Sequence, residues 1–145
     1  MKISTKGRYA LRMFLDLAEH KDDGYIALKD IAARQGISKK YLEQIIPSLN
    51  GSGLLKTNRG YQGGYMLGVP PDQCSVGMIL RLTEGSIAPI ACLDASPISC
   101  EKMSSCITLP FWKGLNKVIN DYVDGVTLQD LLDQHRECGI DNYQI

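Results

Sequence analysis

The 145-residue sequence predicts a mainly α-helical fold carrying one small β-hairpin. Three observations predict it. Apolar residues return every three or four positions in separate runs before residue 85, the mark of amphipathic helices. A Gly-rich segment, Gly60-Tyr61-Gln62-Gly63-Gly64, joins two short runs that read as strands. A last long run from Pro110 to Tyr122 places its apolar residues on one face. The 44% hydrophobic and 22% charged fractions are ordinary for a globular chain and exclude global disorder. No apolar run approaches the roughly 18 residues of a membrane span. The opening Met1-Lys2-Ile3-Ser4-Thr5-Lys6-Gly7-Arg8 leads into no apolar h-region, so no signal peptide and a cytoplasmic location are expected.

Each element has its own justification. Tyr9, Ala10, Met13, Phe14, Leu17 and Ala18 give a first helix from Thr5 to Glu19, ended by Lys21-Asp22-Asp23-Gly24. Tyr25-Ile26-Ala27 leads into a second helix, Leu28 to Gln35. Gly36 breaks the chain, and Ser38 caps a third helix to about Leu49 by accepting a hydrogen bond from a free first-turn N–H. Ala32 is small where two helices must approach, Gly36 tolerates positive φ, and Leu42 and Ile45 supply apolar contacts. Those are the requirements of a helix-turn-helix. The hairpin follows directly, with strands in Gly53-Leu54-Leu55-Lys56-Thr57-Asn58-Arg59 and Tyr65-Met66-Leu67-Gly68. A hairpin in that place makes the unit a winged helix. Its tip carries Arg59 and Gly60, suited to close approach to a phosphate or entry into a minor groove.

Val76 to Glu84 reads as a short helix ended by Gly85. The segment from Ser86 to Ser105 is long for a connector, and such loops are commonly functional. Phe111, Leu115, Val118, Ile119 and Tyr122 line one face of the long helix, read here as a dimerisation face. A final short helix from Leu128 to Leu132 is capped by Thr127. The expected organisation is a winged helix-turn-helix DNA-binding domain over 1–82, a cysteine-containing sensor loop over 83–109, and a dimerisation helix with C-terminal tail over 110–145.

The net charge is zero, yet the charges are unevenly placed. Residues 1–67 hold eleven Lys/Arg and six Asp/Glu; residues 68–145 hold five and ten. A +5 half beside a −5 half fits a chain of which one half meets a polyanion. On the third helix the expected exposed residues are Ser38, Lys39, Lys40, Tyr41, Glu43 and Gln44. Lys39, Lys40 and Tyr41 stand in the first turn, where a docked helix meets phosphates and base edges. Gln44 suits adenine and Glu43 the cytosine amino group; a Lys40–Glu43 pair on a solvated face is the alternative. No P-loop, G-x-S-x-G elbow or H-E-x-x-H motif occurs, and His20 and His135 are the only histidines, which argues against an enzyme.

Five cysteines, Cys74, Cys92, Cys100, Cys106 and Cys138, are an odd number and predict no disulfide framework. Cys92, Cys100 and Cys106 are separated by seven and five residues in a polar loop. Thiolate is the soft ligand of iron–sulphur centres and zinc. The residues alone leave three readings: a cluster or metal site, a thiol redox sensor, or cysteines of no special role.

Three motifs carry a family resemblance. Met1-Lys2-Ile3-Ser4-Thr5-Lys6-Gly7-Arg8-Tyr9-Ala10-Leu11 resembles the amino terminus of the Rrf2 family of bacterial winged-helix regulators. Ile37-Ser38-Lys39-Lys40-Tyr41-Leu42-Glu43-Gln44 resembles its recognition helix, and Arg59-Gly60-Tyr61-Gln62-Gly63-Gly64-Tyr65 its wing. Trp112 and Thr127-Leu128-Gln129-Asp130-Leu131 match its carboxy-terminal part, so the resemblance spans nearly the whole chain. It implies a homodimer on double-stranded DNA with a palindromic operator. It also implies a repressor controlled by an iron–sulphur cluster on Cys92, Cys100 and Cys106, with [2Fe–2S] favoured over [4Fe–4S]. The IscR type, which controls cluster-assembly genes, is the nearer resemblance, and the nitric-oxide-sensing NsrR type is next. A thiol or zinc sensor using the same cysteines is the remaining alternative. Leu109 stands where the IscR pattern has its histidine ligand, and Arg8 and Arg12 stand near where some relatives place an acidic ligand. The fourth ligand is therefore open among Glu101, Asp94, Thr108, His20, Cys74 and an exogenous molecule.

Overall fold

The computed structural model describes residues 1–95, 97–98 and 100–141. Ser96 and Ser99 of the expected sensor loop, and 142–145 of the expected tail, lie outside the described residues. The order is α1 (Thr5–Glu19), α2 (Leu28–Gln35), α3 (Lys39–Leu49), β1 (Leu55–Asn58), β2 (Gly64–Leu67), α4 (Val76–Glu84), α5 (Leu109–Gly125) and α6 (Leu128–Asp141). Single 3₁₀ turns occupy Pro71–Gln73, Ala91–Leu93 and Met103–Ser105.

The helices start where serines can cap them. Ser4, Ser38 and Ser75 accept the N–H of Gly7, Tyr41 and Met78 respectively at 3.1–3.3 Å. Gly36 sits at φ +63° between α2 and α3, a left-handed turn that an L side chain resists. Helix α1 is the spine of the core. Its buried Ala10, Met13, Phe14 and Leu17 meet Ile31 and Ala32 of α2, Leu42, Ile45 and Leu49 of α3, and Ile79 of α4. Each fully buried large apolar side chain contributes roughly 1.5–3 kcal/mol relative to exposure.

Strands β1 and β2 pair antiparallel from Leu55↔Leu67 to Asn58↔Gly64. A third strand position joins them through Ile26, which exchanges two 2.8 Å hydrogen bonds with Tyr65. The segment before α2 therefore fastens the hairpin to the helices, a contact local periodicity does not reveal.

Both strands differ from the sequence reading, β1 being confined to Leu55–Asn58 and β2 shifted by one residue to Gly64–Leu67, and two helix boundaries differ as well. Helix α5 starts one residue earlier, at Leu109, with Pro110 in its first turn, where a missing N–H costs nothing. Helix α6 continues to Asp141 instead of stopping at Leu132. The apolar stripe ends near Leu132, but no proline follows, and Gln129–Asp133 and Asp133–Arg136 contacts support the polar turns beyond. Its start is a reciprocal cap: Thr127 Oγ1 accepts the Asp130 N–H, and Asp130 accepts the Thr127 N–H. Leu128 and Leu132 join the core built around α1, so α6 folds back onto the helix-turn-helix unit.

Candidate nucleic-acid interface and cysteine loop

Helix α3 buries Leu42, Ile45, Ile46 and Leu49, which leaves Lys39, Lys40, Glu43 and Gln44 exposed on its outer side, with Ser38 exposed at its cap. Lys39 lies 3.7 Å from Glu43, so the pair on this face is Lys39–Glu43, one turn apart, and not Lys40–Glu43. Both side chains are more than half exposed, so the pair is weak and free to exchange partners. The hairpin stands beside α3, and the groove between them is lined by Lys29, Lys39, Glu43, Asn50, Thr57 and Arg59. Arg59 and Gly60 are exposed at the hairpin tip. The expected residues thus share one surface, with one correction. Tyr41 is half-buried, its ring packed edge-on against Tyr9 at 5.3 Å, and Arg12 lies over the Tyr9 ring at 5.6 Å. Its position in the first turn marked it as exposed; its phase on the helix turns it toward α1.

Behind this face lies an ion pair that pattern reading missed. Asp16 of α1 is only 1% exposed, and its carboxylate accepts Arg34 Nη2 at 2.6 Å, Arg34 Nε at 3.0 Å and Gln35 Nε2 at 3.1 Å. Asp16 holds the Arg34 guanidinium pKa above its ordinary value. Arg12 donates to the Gln35 backbone carbonyl, capping the end of α2. Asp16 sits among Met13, Phe14 and Leu17 on the helix's buried side; an acid inside an apolar stripe was the available signal.

Helix α4 links this unit to the C-terminal half. Glu84 accepts the Ser4 N–H at 3.0 Å and the Ser4 hydroxyl at 2.7 Å, tying α4 to the start of α1. On its other side Arg81 donates to both Asp124 oxygens at 2.6 and 3.0 Å, tying α4 to α5. That pairing raises the Arg81 pKa and lowers the Asp124 carboxyl below its usual range. The cysteine loop leaves α4 one residue after Glu84.

All five cysteines are unpaired. Cys74 is buried, which pushes its thiol up to about 11, and it serves packing. Cys92 is exposed, and Cys100 and Cys106 are half-buried. The Thr108 hydroxyl, 3.5 Å away, lowers the Cys106 thiol pKa. Cys92, Cys100 and Cys106 fit an iron or zinc centre in donor type, as three unpaired thiols on one loop. Among the described residues no three His, Cys, Asp or Glu side chains converge to hold a metal ion within one chain. On α5, Phe111, Val118 and Tyr122 are 65%, 65% and 72% exposed; the stripe expected to be apolar is left uncovered in the single chain.

The Rrf2 family profile, described as "Iron-dependent Transcriptional regulator", matches residues 3–134. The chain belongs to the Rrf2 family of transcriptional regulators. This Rrf2 regulator is 39% identical over 132 residues to the HTH-type transcriptional regulator IscR of Aliivibrio salmonicida, covering 91% of this chain and 77% of that one. It is 39% identical over 132 residues to the HTH-type transcriptional regulator CymR of Bacillus subtilis, covering 90% and 89%. Among solved structures, T. potens IscR superposes with a TM-score of 0.74 at 38% identity, covering 95% of this chain and 90% of that one. The fold is therefore the mainly helical winged helix of Rrf2 regulators, and the protein is a DNA-binding regulator, as its named relatives are, not an enzyme. No described helix is long and apolar enough to cross a membrane.

Proposed function

We infer that this Rrf2 regulator is a cytoplasmic, homodimeric repressor whose operator binding is set by an iron–sulphur cluster held on Cys92, Cys100 and Cys106. The observation that carries the reading is the position of the cysteine loop. It joins α4, which Glu84 ties to the helix-turn-helix unit, to α5, which exposes Phe111, Val118 and Tyr122. Residues 1–82 bind DNA, 83–109 sense, and 110–145 dimerise. A second copy covers the α5 stripe, and two α3 helices about one DNA turn apart read the half-sites of a palindrome. Ser38, Lys39, Lys40, Tyr41, Glu43, Gln44, Arg59 and Gly60 form the DNA surface. Tyr41 acts there through its half-buried ring, which packs on Tyr9.

The three thiols supply soft ligands, and the cluster when bound supplies an iron centre sensitive to redox state and small ligands. A [2Fe–2S] form and IscR-like control of cluster-assembly genes are the preferred version, with an NsrR-like response to nitric oxide next. The chain's own part is mechanical. The loop from Ser86 to Ser105, with the cluster bound, sets the approach of α4 and α5, and the Arg81–Asp124 and Glu84–Ser4 contacts carry that setting to α1. Such a device works only if one dimer arrangement is favoured by the cluster-bound loop.

Anaerobic purification with a visible spectrum and iron and sulfide analysis tests the cysteines. Brown protein with matched iron and sulfide, bleached by Cys92→Ala or Cys106→Ala, is expected. Equal operator affinity of Cys100→Ser and cluster-loaded protein overturns the control mechanism. A second reading, a thiol or zinc sensor, is favoured by the exposed free Cys92 and by the likeness to CymR of Staphylococcus aureus, whose structure has been solved in an oxidized form. Colourless protein with no iron after reconstitution, or with stoichiometric zinc, supports it. Failure to retard any promoter fragment at low salt overturns the DNA-binding assignment.

A further inference from the structure

The tip of the hairpin carries a side chain that the site described above does not use. Tyr61 is 98% exposed, more than any other large hydrophobic side chain among the described residues. The backbone that presents it is pinned. Gly60 stands at φ +117° and Gln62 at φ +67°, the single non-glycine residue with positive φ among those described. The Gly63 N–H closes the turn on the Gly60 carbonyl at 2.8 Å. A Cβ on Gly63 would stand 2.6 Å from the Asn58 carbonyl oxygen, so the close approach needs glycine. Positive φ at Gly60 and Gln62 is the backbone that a tight hairpin turn needs to match the twist of its strands.

The two flanks of the tip differ chemically. Toward α3 the groove offers Lys29, Lys39 and Arg59 to phosphates. On the other flank Tyr61 borders a hollow with Asp23, Tyr25, Asp30 and Arg34. Arg34 is engaged by Asp16, and Asp23 and Asp30 repel phosphate. On that side, among the described residues lining the hollow, the tip has no free cation with which to grip a DNA backbone. It has an exposed phenol on a closed turn: ring faces that can pack on deoxyribose, and a hydroxyl that can donate to acceptors. The floor of a minor groove at A·T pairs presents only acceptors, which a phenol hydroxyl can reach, whereas a G·C pair adds the guanine amino group, which projects from the floor and stands where the ring would lie.

We propose that Tyr61 is a minor-groove contact of the hairpin tip that favours A·T over G·C at the base pairs flanking the major-groove site. The proposal rests on the DNA-binding assignment and adds a specificity-determining residue to it. Arg59 and Tyr61 divide the work: Arg59 supplies charge, and Tyr61 supplies uncharged packing and groove-floor readout.

The test uses the full chain, prepared anaerobically, and a duplex selected by it from a random library. Anisotropy titrations compare wild type, Tyr61→Ala, Tyr61→Phe and Arg59→Ala across a salt series. Tyr61→Ala is expected to lose about tenfold in affinity, at the low end of base–aromatic contacts. Its salt slope stays at the wild-type value, whereas Arg59→Ala lowers the slope by about one. Tyr61→Phe keeps the packing and falls between wild type and Tyr61→Ala. Flanking G·C in place of A·T weakens wild type, inosine·C does not, and Tyr61→Ala no longer distinguishes them. The unfolding midpoint of Tyr61→Ala stays at wild type, because the ring packs on nothing in the free protein. Wild-type affinity for Tyr61→Ala, or an A·T preference that survives it, overturns the proposal and leaves the DNA-binding assignment standing. Wild type that selects no DNA overturns the assignment itself.

Discussion

Replacing Arg34 by alanine removes two of the three hydrogen bonds that hold the Asp16 carboxylate, those at 2.6 and 3.0 Å, and leaves only Gln35 at 3.1 Å. Asp16 is 1% exposed, so in the folded chain these partners and not water hold its charge. Breaking a fully buried pair from one side costs about 3–5 kcal/mol. Here the departing guanidinium is 37% exposed, and water follows it into the vacated space. The expected cost is therefore lower, about 2–3 kcal/mol. Asp16→Asn removes the charge but keeps the shape, and the Arg34 head returns to water; about 1–2 kcal/mol is expected. The double variant should cost less than the two singles added, because the second change removes the partner that the first left stranded. Thermal unfolding at fixed protein concentration reads this directly, at roughly 2–4 °C per kcal/mol for a chain of this size. A fall of about 5–10 °C for Arg34→Ala follows. An Arg34→Ala variant within a degree of wild type, or strict additivity in the double variant, refutes the claim that Asp16 is a buried charge dependent on Arg34.

Three further outcomes follow from the same geometry. Val118→Glu puts a charge into the exposed α5 stripe; sedimentation should show a shift toward monomer with unchanged far-UV dichroism, and an unchanged dimer excludes that face as the interface. Arg81 lowers the Asp124 pKa, so the pair's stabilisation is present above the unfolded carboxyl value near pH ~4 and is lost as pH falls through the depressed folded value. The gap in unfolding temperature between wild type and Asp124→Asn should accordingly narrow from pH 7 to pH 3, whereas a constant gap refutes the assignment. In metal-free native protein, iodoacetamide should label exposed Cys92 and spare Cys74, which is buried with its thiol near 11, until denaturant is added; equal labelling contradicts that burial.

The helices of the DNA-binding half were legible because their signals are local. Ser38, Gly36 and Gly85 punctuate the chain, and the apolar stripes of α1 to α4 have one helical phase each, so the ends fall where expected. The hairpin was legible for the same reason, with turn glycines between two short apolar runs. Apolar periodicity ends helix α6 near Leu132, and beyond that point the helix is held by polar side-chain pairs, which leave no such pattern. A place in the first turn puts Tyr41 on the outer face, but its orientation depends on Tyr9 in another helix. Among the site residues, the chemistry of Lys39, Lys40, Gln44 and Arg59 was readable from residue type. The groove that gathers Lys39 and Arg59 needed the hairpin docked beside α3.

The order of elements, the basic first half, the three loop cysteines and the family are all written in residue type and short spacing. Tertiary structure decided which acid is buried, that Asp16 meets Arg34 eighteen positions away, and that Ser4 meets Glu84 eighty positions away. It also decided that α6 returns to the core and that Tyr61 stands clear of it. Those outcomes depend on distant segments competing for the same space and the same hydrogen-bonding groups, and local spacing carries no record of that competition.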